Sequence, residues 1–169
     1  MKIAILTTGG TIEKTFNEAD GSLRNSGSVL EEILAALRLP EAELRHISVM
    51  SKDSLEMTDT DRDIILRAVL DALVTDDAVL VVHGTDTLSV TGEHLHRHLQ
   101  PLNKPIVLTG AMRPFEFRDS DAFQNLTEAL LACKLLSPGI YVVMHNQALR
   151  FPDVTKDRSR GTFVRLNVL

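Results

Sequence analysis

The chain reads as an α/β domain, a doubly wound, mostly parallel sheet with helices on both faces. Three observations predict this. Short apolar runs alternate with stretches whose apolar residues recur at helical spacing, in the order βαβαβαβαβ. Most of the runs are continuous rather than alternating, as in strands buried on both faces. Three of the runs end in turns rich in glycine and threonine, at the sheet edge where such folds gather ligands.

The elements follow in order. Residues 3–6 (Ile-Ala-Ile-Leu) make a first buried strand, ending in Thr7-Thr8-Gly9-Gly10-Thr11-Ile12. Residues 13–27 carry Asn17, Asp20, Gly21, Ser22, Asn25, Ser26 and Gly27, turn chemistry over a long span, which predicts a lid loop. Ser28 with Glu31 reads as a capping box for a helix striped by Val29, Leu30, Ile33, Leu34 and Leu37 and ended by Pro40. Residues 44–50 alternate as a second strand, and 51–57 are polar and turn-like. Thr58 or Asp59 caps a second helix with Ile64, Ile65, Ala68, Val69, Ala72 and Leu73 on one side. Residues 77–82 (Asp-Ala-Val-Leu-Val-Val) are too short and too β-branched for a helix and predict a third strand. It ends in His83-Gly84-Thr85-Asp86-Thr87, where Asp86 or Thr87 can cap the helix over 88–99.

A fourth strand, 106–109, ends in Gly110-Ala111-Met112-Arg113-Pro114. After a polar loop, Ser120 or Asp121 caps a helix through Leu136, stopped at Pro138-Gly139. Residues 140–144 form a fifth strand. Residues 146–160 read as polar loop, and 163–169 alternate as a short last strand. Neither repeats nor low-complexity segments occur and the composition does not shift, so a single domain over residues 1–169 is expected.

Composition narrows the function. With 169 residues, 44% hydrophobic and 24% charged, the chain can bury one good core. A net charge of -5 argues against a nucleic-acid partner. No apolar run is long enough for a bilayer, and the N-terminal residues show no small-residue cleavage site. A cytoplasmic location and no membrane partner are therefore expected. The lone cysteine, Cys133, lies in an apolar helical stretch and is expected to be a buried core residue. His94 and His98 share a helix face and could in principle hold a metal. No third ligand accompanies them, so a solvated helix face is expected and no metal is assigned.

The chemistry sits at the strand ends. Thr8-Gly9-Gly10-Thr11 follows the first strand, Gly84-Thr85-Asp86 the third and Thr109-Gly110 the fourth. Any one could be an ordinary turn. Lined up on one sheet edge, they bring hydroxyls, a carboxylate and glycine-exposed amides to one crevice. Gly9-Gly10 lacks the GxGxxG pattern and the lysine of a P-loop, so a nucleotide site is weakly supported. No Ser-His-Asp order and no nucleophile elbow appear. What remains is threonine-based acyl transfer: a hydroxyl nucleophile with a lysine or other base, amides for the oxyanion, and a carboxylate for a substrate ammonium.

Four motifs also carry a family resemblance. Thr8-Gly9-Gly10-Thr11-Ile12, His83-Gly84-Thr85-Asp86-Thr87, Thr109-Gly110-Ala111-Met112-Arg113-Pro114 and Asp153-Val154-Thr155-Lys156 resemble, in order and approximate spacing, the motifs of the bacterial L-asparaginase/glutaminase family. The resemblance covers essentially the whole chain and is to that family's N-terminal domain, a Rossmann-like or flavodoxin-like sheet. It implies hydrolysis of L-asparagine, with L-glutamine as the alternative substrate, by a short-chain enzyme without a cofactor. Thr11 then resembles the primary nucleophile and Thr85 the second active-site threonine, with Lys156 easing proton transfer. Asp86 would bind the substrate α-ammonium and Ser54 its α-carboxylate, with Gly10 and Gly84 lining the substrate.

The sequence also departs from the family pattern. The segment after Thr11 has no tyrosine; Phe16 is its only aromatic residue, and Tyr141 lies in a strand. Glu13, Lys14 and Asp20 are the alternatives for assisting Thr11. Leu55 stands beside Ser54 where the family usually has a polar residue. The sequence stops at Leu169, where the family's second domain would begin, so no C-terminal domain is expected. Apolar surface left at that junction predicts a homo-oligomer. An amino-acid-binding module without turnover, and an amidotransferase-type ammonia source, are the competing expectations.

Overall fold

The computed structural model describes residues 1–25 and 29–166. The expected Ser28 cap and the last residues of the expected 163–169 strand lie outside these. In chain order the elements are β1 (Lys2–Thr7), β2 (Lys14–Asn17), β3 (Ser22–Asn25), α1 (Val29–Ala36), β4 (Glu43–Ser48), α2 (Asp59–Thr75), β5 (Ala78–Val82), α3 (Leu88–His98), β6 (Pro105–Thr109), α4 (Ala122–Leu135), β7 (Gly139–Met144), β8 (Gln147–Arg150), β9 (Val154–Asp157) and β10 (Thr162–Arg165).

The central sheet has the order β4-β1-β5-β6-β7-β8. Its first five members are parallel. Counted among themselves they run 2-1-3-4-5, the flavodoxin-like order, with a topological switch point between β1 and β5. Side chains of β1 alternate between two cores. Ile3 and Ile5 pack with Val29, Leu30, Ile33, Leu126 and Leu130 of α1 and α4. Ala4 and Leu6 pack with Ile65, Val69, Leu88 and Leu95 of α2 and α3. Both faces of β5, β6 and β7 are buried, which is why their sequences are continuous apolar runs rather than alternating ones. The expected fold class is borne out. Thr58 caps α2 reciprocally with Asp61. Among the described residues no helix is long and apolar enough to cross a membrane.

Two stretches differ from the sequence reading. The expected lid loop is, through Asn25, a short 3-10 turn (Thr11–Glu13) and the β2–β3 hairpin. Its loop closes where Gly21 takes φ +70° and its amide donates to the Asn17 carbonyl at 2.8 Å. The polar residues there are turn formers, and they masked the two short strands they connect. Residues 146–160 are not all loop either. His145 and Asn146 both have positive φ, 54° and 61°, and make a two-residue turn that lays β8 antiparallel on β7. β9 and β10 form a separate hairpin off the sheet, with Lys156 opposite Phe163.

Candidate active site

The switch point places the ends of β1 and β5 side by side. The Thr8 amide and hydroxyl both donate to the Val82 carbonyl, at 3.1 and 3.0 Å. Beyond them the chains touch through glycine. Gly10 has φ +98°, and a Cβ there would lie 2.6 Å from the Gly84 Cα. A Cβ on Gly84 would lie 2.7 Å from Ser54 Oγ. Gly10, Gly84 and Ser54 are therefore stacked with no room for side chains between them, and Thr11 leaves this stack as the first residue of the 3-10 turn. Ser54 sits in a second 3-10 turn (Ser54–Glu56), whose Asp53 carboxylate accepts the Leu55 amide at 3.0 Å. The Thr87 hydroxyl donates to the Ser54 carbonyl at 2.7 Å, tying this turn to the start of α3.

Thr85, Asp86 and Lys156 converge directly. Lys156 Nζ donates to Thr85 Oγ1 at 2.8 Å and to Asp86 Oδ1 at 2.9 Å. Thr85 is 4% exposed, whereas the Asp86 carboxylate keeps 30% of its surface open. The lysine arrives on the β9–β10 hairpin, which α3 holds by two contacts. Phe151, just ahead of β9, lies on Gly92, where a Cβ would come within 2.1 Å of its ring. The Glu93 carboxylate accepts the Asp153 amide at 2.7 Å. One helix thus begins beside Thr85 and Asp86 and, a turn later, docks the segment bearing Lys156.

His83 braces the same turn. It is fully buried, with Nδ1 2.8 Å from the Gly84 carbonyl and Nε2 2.9 Å from the Thr91 hydroxyl. A carbonyl only accepts, so Nδ1 carries the proton and Nε2 accepts from Thr91. Burial pushes the imidazole pKa down to about 4, against the opposing Gly84 hydrogen bond.

Not every motif residue reaches the crevice. Thr109 is buried and donates to the Val143 carbonyl at 2.8 Å, so its hydroxyl serves the sheet. The same motif is held by Asp121, which is not a side-chain cap of α4; its carboxylate accepts the Met112 and Arg113 amides and bonds His145. Burial raises the Asp121 pKa, but these donors outweigh it and leave the group lowered.

Of the alternatives for assisting Thr11, Lys14 is paired with Asp53 at 3.0 Å, and Asp20 accepts the Ser22 hydroxyl in an exposed turn. Glu13 is buried, and burial raises its pKa against a hydrogen bond from Gly9. Of the two helical histidines, His98 is exposed as expected, whereas His94 is 8% exposed and bonds Asp63 at 3.0 Å, because α3 packs against α2 there. Among the described residues no three His, Cys, Asp or Glu side chains group as metal ligands. Cys133 is buried in the core as expected.

The sequence reading missed Arg158. Its guanidinium reaches Asp86 Oδ1 at 3.1 Å. In the sequence it is one more charge in a polar segment, without a local signal.

Comparison with known proteins bears on the family and the fold. The family profile described as "Asparaginase, N-terminal" matches residues 2–164. The chain is 32% identical to an L-asparaginase of Thermococcus kodakarensis over 161 residues, 95% of this chain and 49% of that protein. It is 32% identical over 171 residues to one subunit of a glutamyl-tRNA(Gln) amidotransferase of the same organism, 96% of this chain and 37% of that protein. The solved structure of the thermostable L-asparaginase from Thermococcus kodakarensis superposes with a TM-score of 0.90, covering 100% of this chain and 52% of that one. The chain thus spans about half or less of the length of these relatives. By its profile match and its fold, it belongs to the asparaginase family and corresponds to that family's N-terminal domain.

Proposed function

We propose that the domain hydrolyses the side-chain amide of L-asparagine to L-aspartate and ammonia by threonine acyl transfer. The observation that carries this reading is the Thr85–Lys156–Asp86 cluster, where a lysine ammonium touches both a threonine hydroxyl and a half-open carboxylate. Thr11 Oγ attacks the amide carbon, the C–N bond breaks, and the departing nitrogen takes a proton and leaves as ammonia. Water then attacks the acyl-threonine, releasing aspartate and returning the proton to Thr11. The Lys156–Thr85 pair moves protons in these steps. Asp86 receives the substrate α-ammonium, and Ser54 offers its hydroxyl to the α-carboxylate. Gly10 and Gly84 line the substrate through their backbone, their close stacking on Ser54 fixing the amides of this turn as donors. No cofactor enters the scheme, and L-glutamine is the alternative substrate.

Self-association belongs to the same reading. It is supported by apolar side chains left open on α4, Leu131 at 56% and Leu135 at 72% exposure. The similarity to an amidotransferase component favours a second reading, in which the same hydrolysis supplies ammonia to a partner enzyme. A binding module without turnover is the remaining alternative. The test is ammonia release from L-asparagine and L-glutamine by wild type, Thr11→Ala and Thr85→Ala. Release by wild type, reduced roughly 100-fold or more by each substitution, is expected. Absence of release by wild type refutes the hydrolytic reading.

A further inference from the structure

Asp86 carries more positive charge than an ammonium site needs. Lys156 Nζ at 2.9 Å and Arg158 Nη1 at 3.1 Å share its Oδ1. The three groups together carry a net charge of +1, and an incoming ammonium alone would make it +2. A zwitterion leaves the balance unchanged if its carboxylate engages one of the two cations.

The two cations are not equivalent. The Lys156 side chain is 15% exposed and is also committed to Thr85. The Arg158 side chain is 70% exposed, and Asp86 is its only charged partner among the described residues. An exposed ion pair contributes little, so parting it from Asp86 is cheap. Its backbone is nonetheless fixed. The Asp157 carboxylate accepts the Ser159 amide at 2.9 Å, the Ser159 hydroxyl at 2.6 Å and the Arg160 amide at 3.1 Å, pinning the chain around Arg158. A guanidinium on a fixed Cα beside the ammonium seat matches a carboxylate in bidentate fashion. Ser54, which offers that carboxylate a hydroxyl, is neutral and only 2% exposed, and Leu55 next to it adds no polar group, so the balancing positive charge has to come from elsewhere.

We infer that Arg158 binds the α-carboxylate of the amino-acid ligand, exchanging Asp86 for it as the ligand α-ammonium takes Asp86. The assignment rests on the proposed amino-acid site. It makes Arg158 a specificity-determining residue that selects α-amino acids over ligands lacking either charge.

Calorimetric titration of wild type, Arg158→Ala and Arg158→Lys tests this with three probes. L-Aspartate carries both charges, succinamate lacks the α-ammonium, and 3-aminopropanamide lacks the α-carboxylate. Arg158→Ala should weaken L-aspartate and succinamate roughly tenfold to 100-fold and leave 3-aminopropanamide as tight or tighter. Arg158→Lys, which keeps charge without the fork, should fall between. An Arg158→Ala protein that holds L-aspartate as well as wild type overturns the assignment, as does equal weakening of all three probes. The expected pattern in a protein that releases no ammonia upholds Arg158 and refutes the hydrolytic reading instead. A wild type that binds none of the probes overturns both.

Discussion

Acidification should unlock the turn that holds Thr85 and Asp86, and His83 is the reason. The imidazole is fully buried between the Gly84 carbonyl and the Thr91 hydroxyl, and its pKa is pushed down to about 4 from 6.5. Burial is the main cause and the nearby Arg62 charge adds to it. The folded protein therefore binds fewer protons than the unfolded chain between these two values, and stability falls as pH drops through that window. Integrating from pH 7.5 to pH 5 gives a loss of about 2 kcal/mol from this one group. At this chain length that is roughly 4–8 °C in melting temperature. The raised Glu13 carboxyl acts with the opposite sign, gaining stability on acidification, so the wild-type slope alone does not isolate His83. The comparison is with His83→Gln, whose amide can still donate to Gly84 and accept from Thr91 without titrating. Thermal melts of both proteins at pH 7.5 and pH 5 should differ in slope by about 2 kcal/mol. Parallel slopes would refute the claim that a neutral His83 holds this turn.

Two further outcomes follow from packing. Gly92→Ala would set a Cβ within 2.1 Å of the Phe151 ring, and the ring must move. We expect a cost of about 1–3 kcal/mol and faster hydrogen exchange in β9 and β10, while exchange in β5 and β6 stays slow. Unchanged exchange in the hairpin would show that α3 is not what docks Lys156. Cys133 is 1% exposed and its thiol pKa is pushed up to about 12 by burial. It should resist a disulfide reagent at pH 8 in the folded protein and react fully in guanidinium chloride. Rapid labelling of the native chain would place it outside the core.

How far the sequence alone carries depends on how local the signal is. The five parallel strands and four helices are legible because burial on two sheet faces leaves continuous apolar runs such as Ala78–Val82, and helix packing leaves stripes such as Ile65, Val69 and Ala72. The β7–β8 hairpin is not legible, since His145-Asn146 is an unusual pair for a two-residue turn and β8 itself is a short Gln-Ala-Leu-Arg. The roles of individual threonines are also hidden. Thr8 and Thr109 look like site hydroxyls but bond the backbone of neighbouring strands.

Sequence by itself determined the fold class, the glycine- and threonine-rich strand ends and the family resemblance, because periodicity and turn chemistry are properties of consecutive residues. Only the tertiary structure decided that the β1 and β5 ends meet at glycine on glycine, and that Lys156 spans 70 residues of chain to reach Asp86. It also decided that Arg158 joins them there. Those contacts follow from strand order and from α3 gripping the β9–β10 hairpin through Gly92 and Glu93. No spacing along the chain encodes which cation a carboxylate will find once distant segments are packed together.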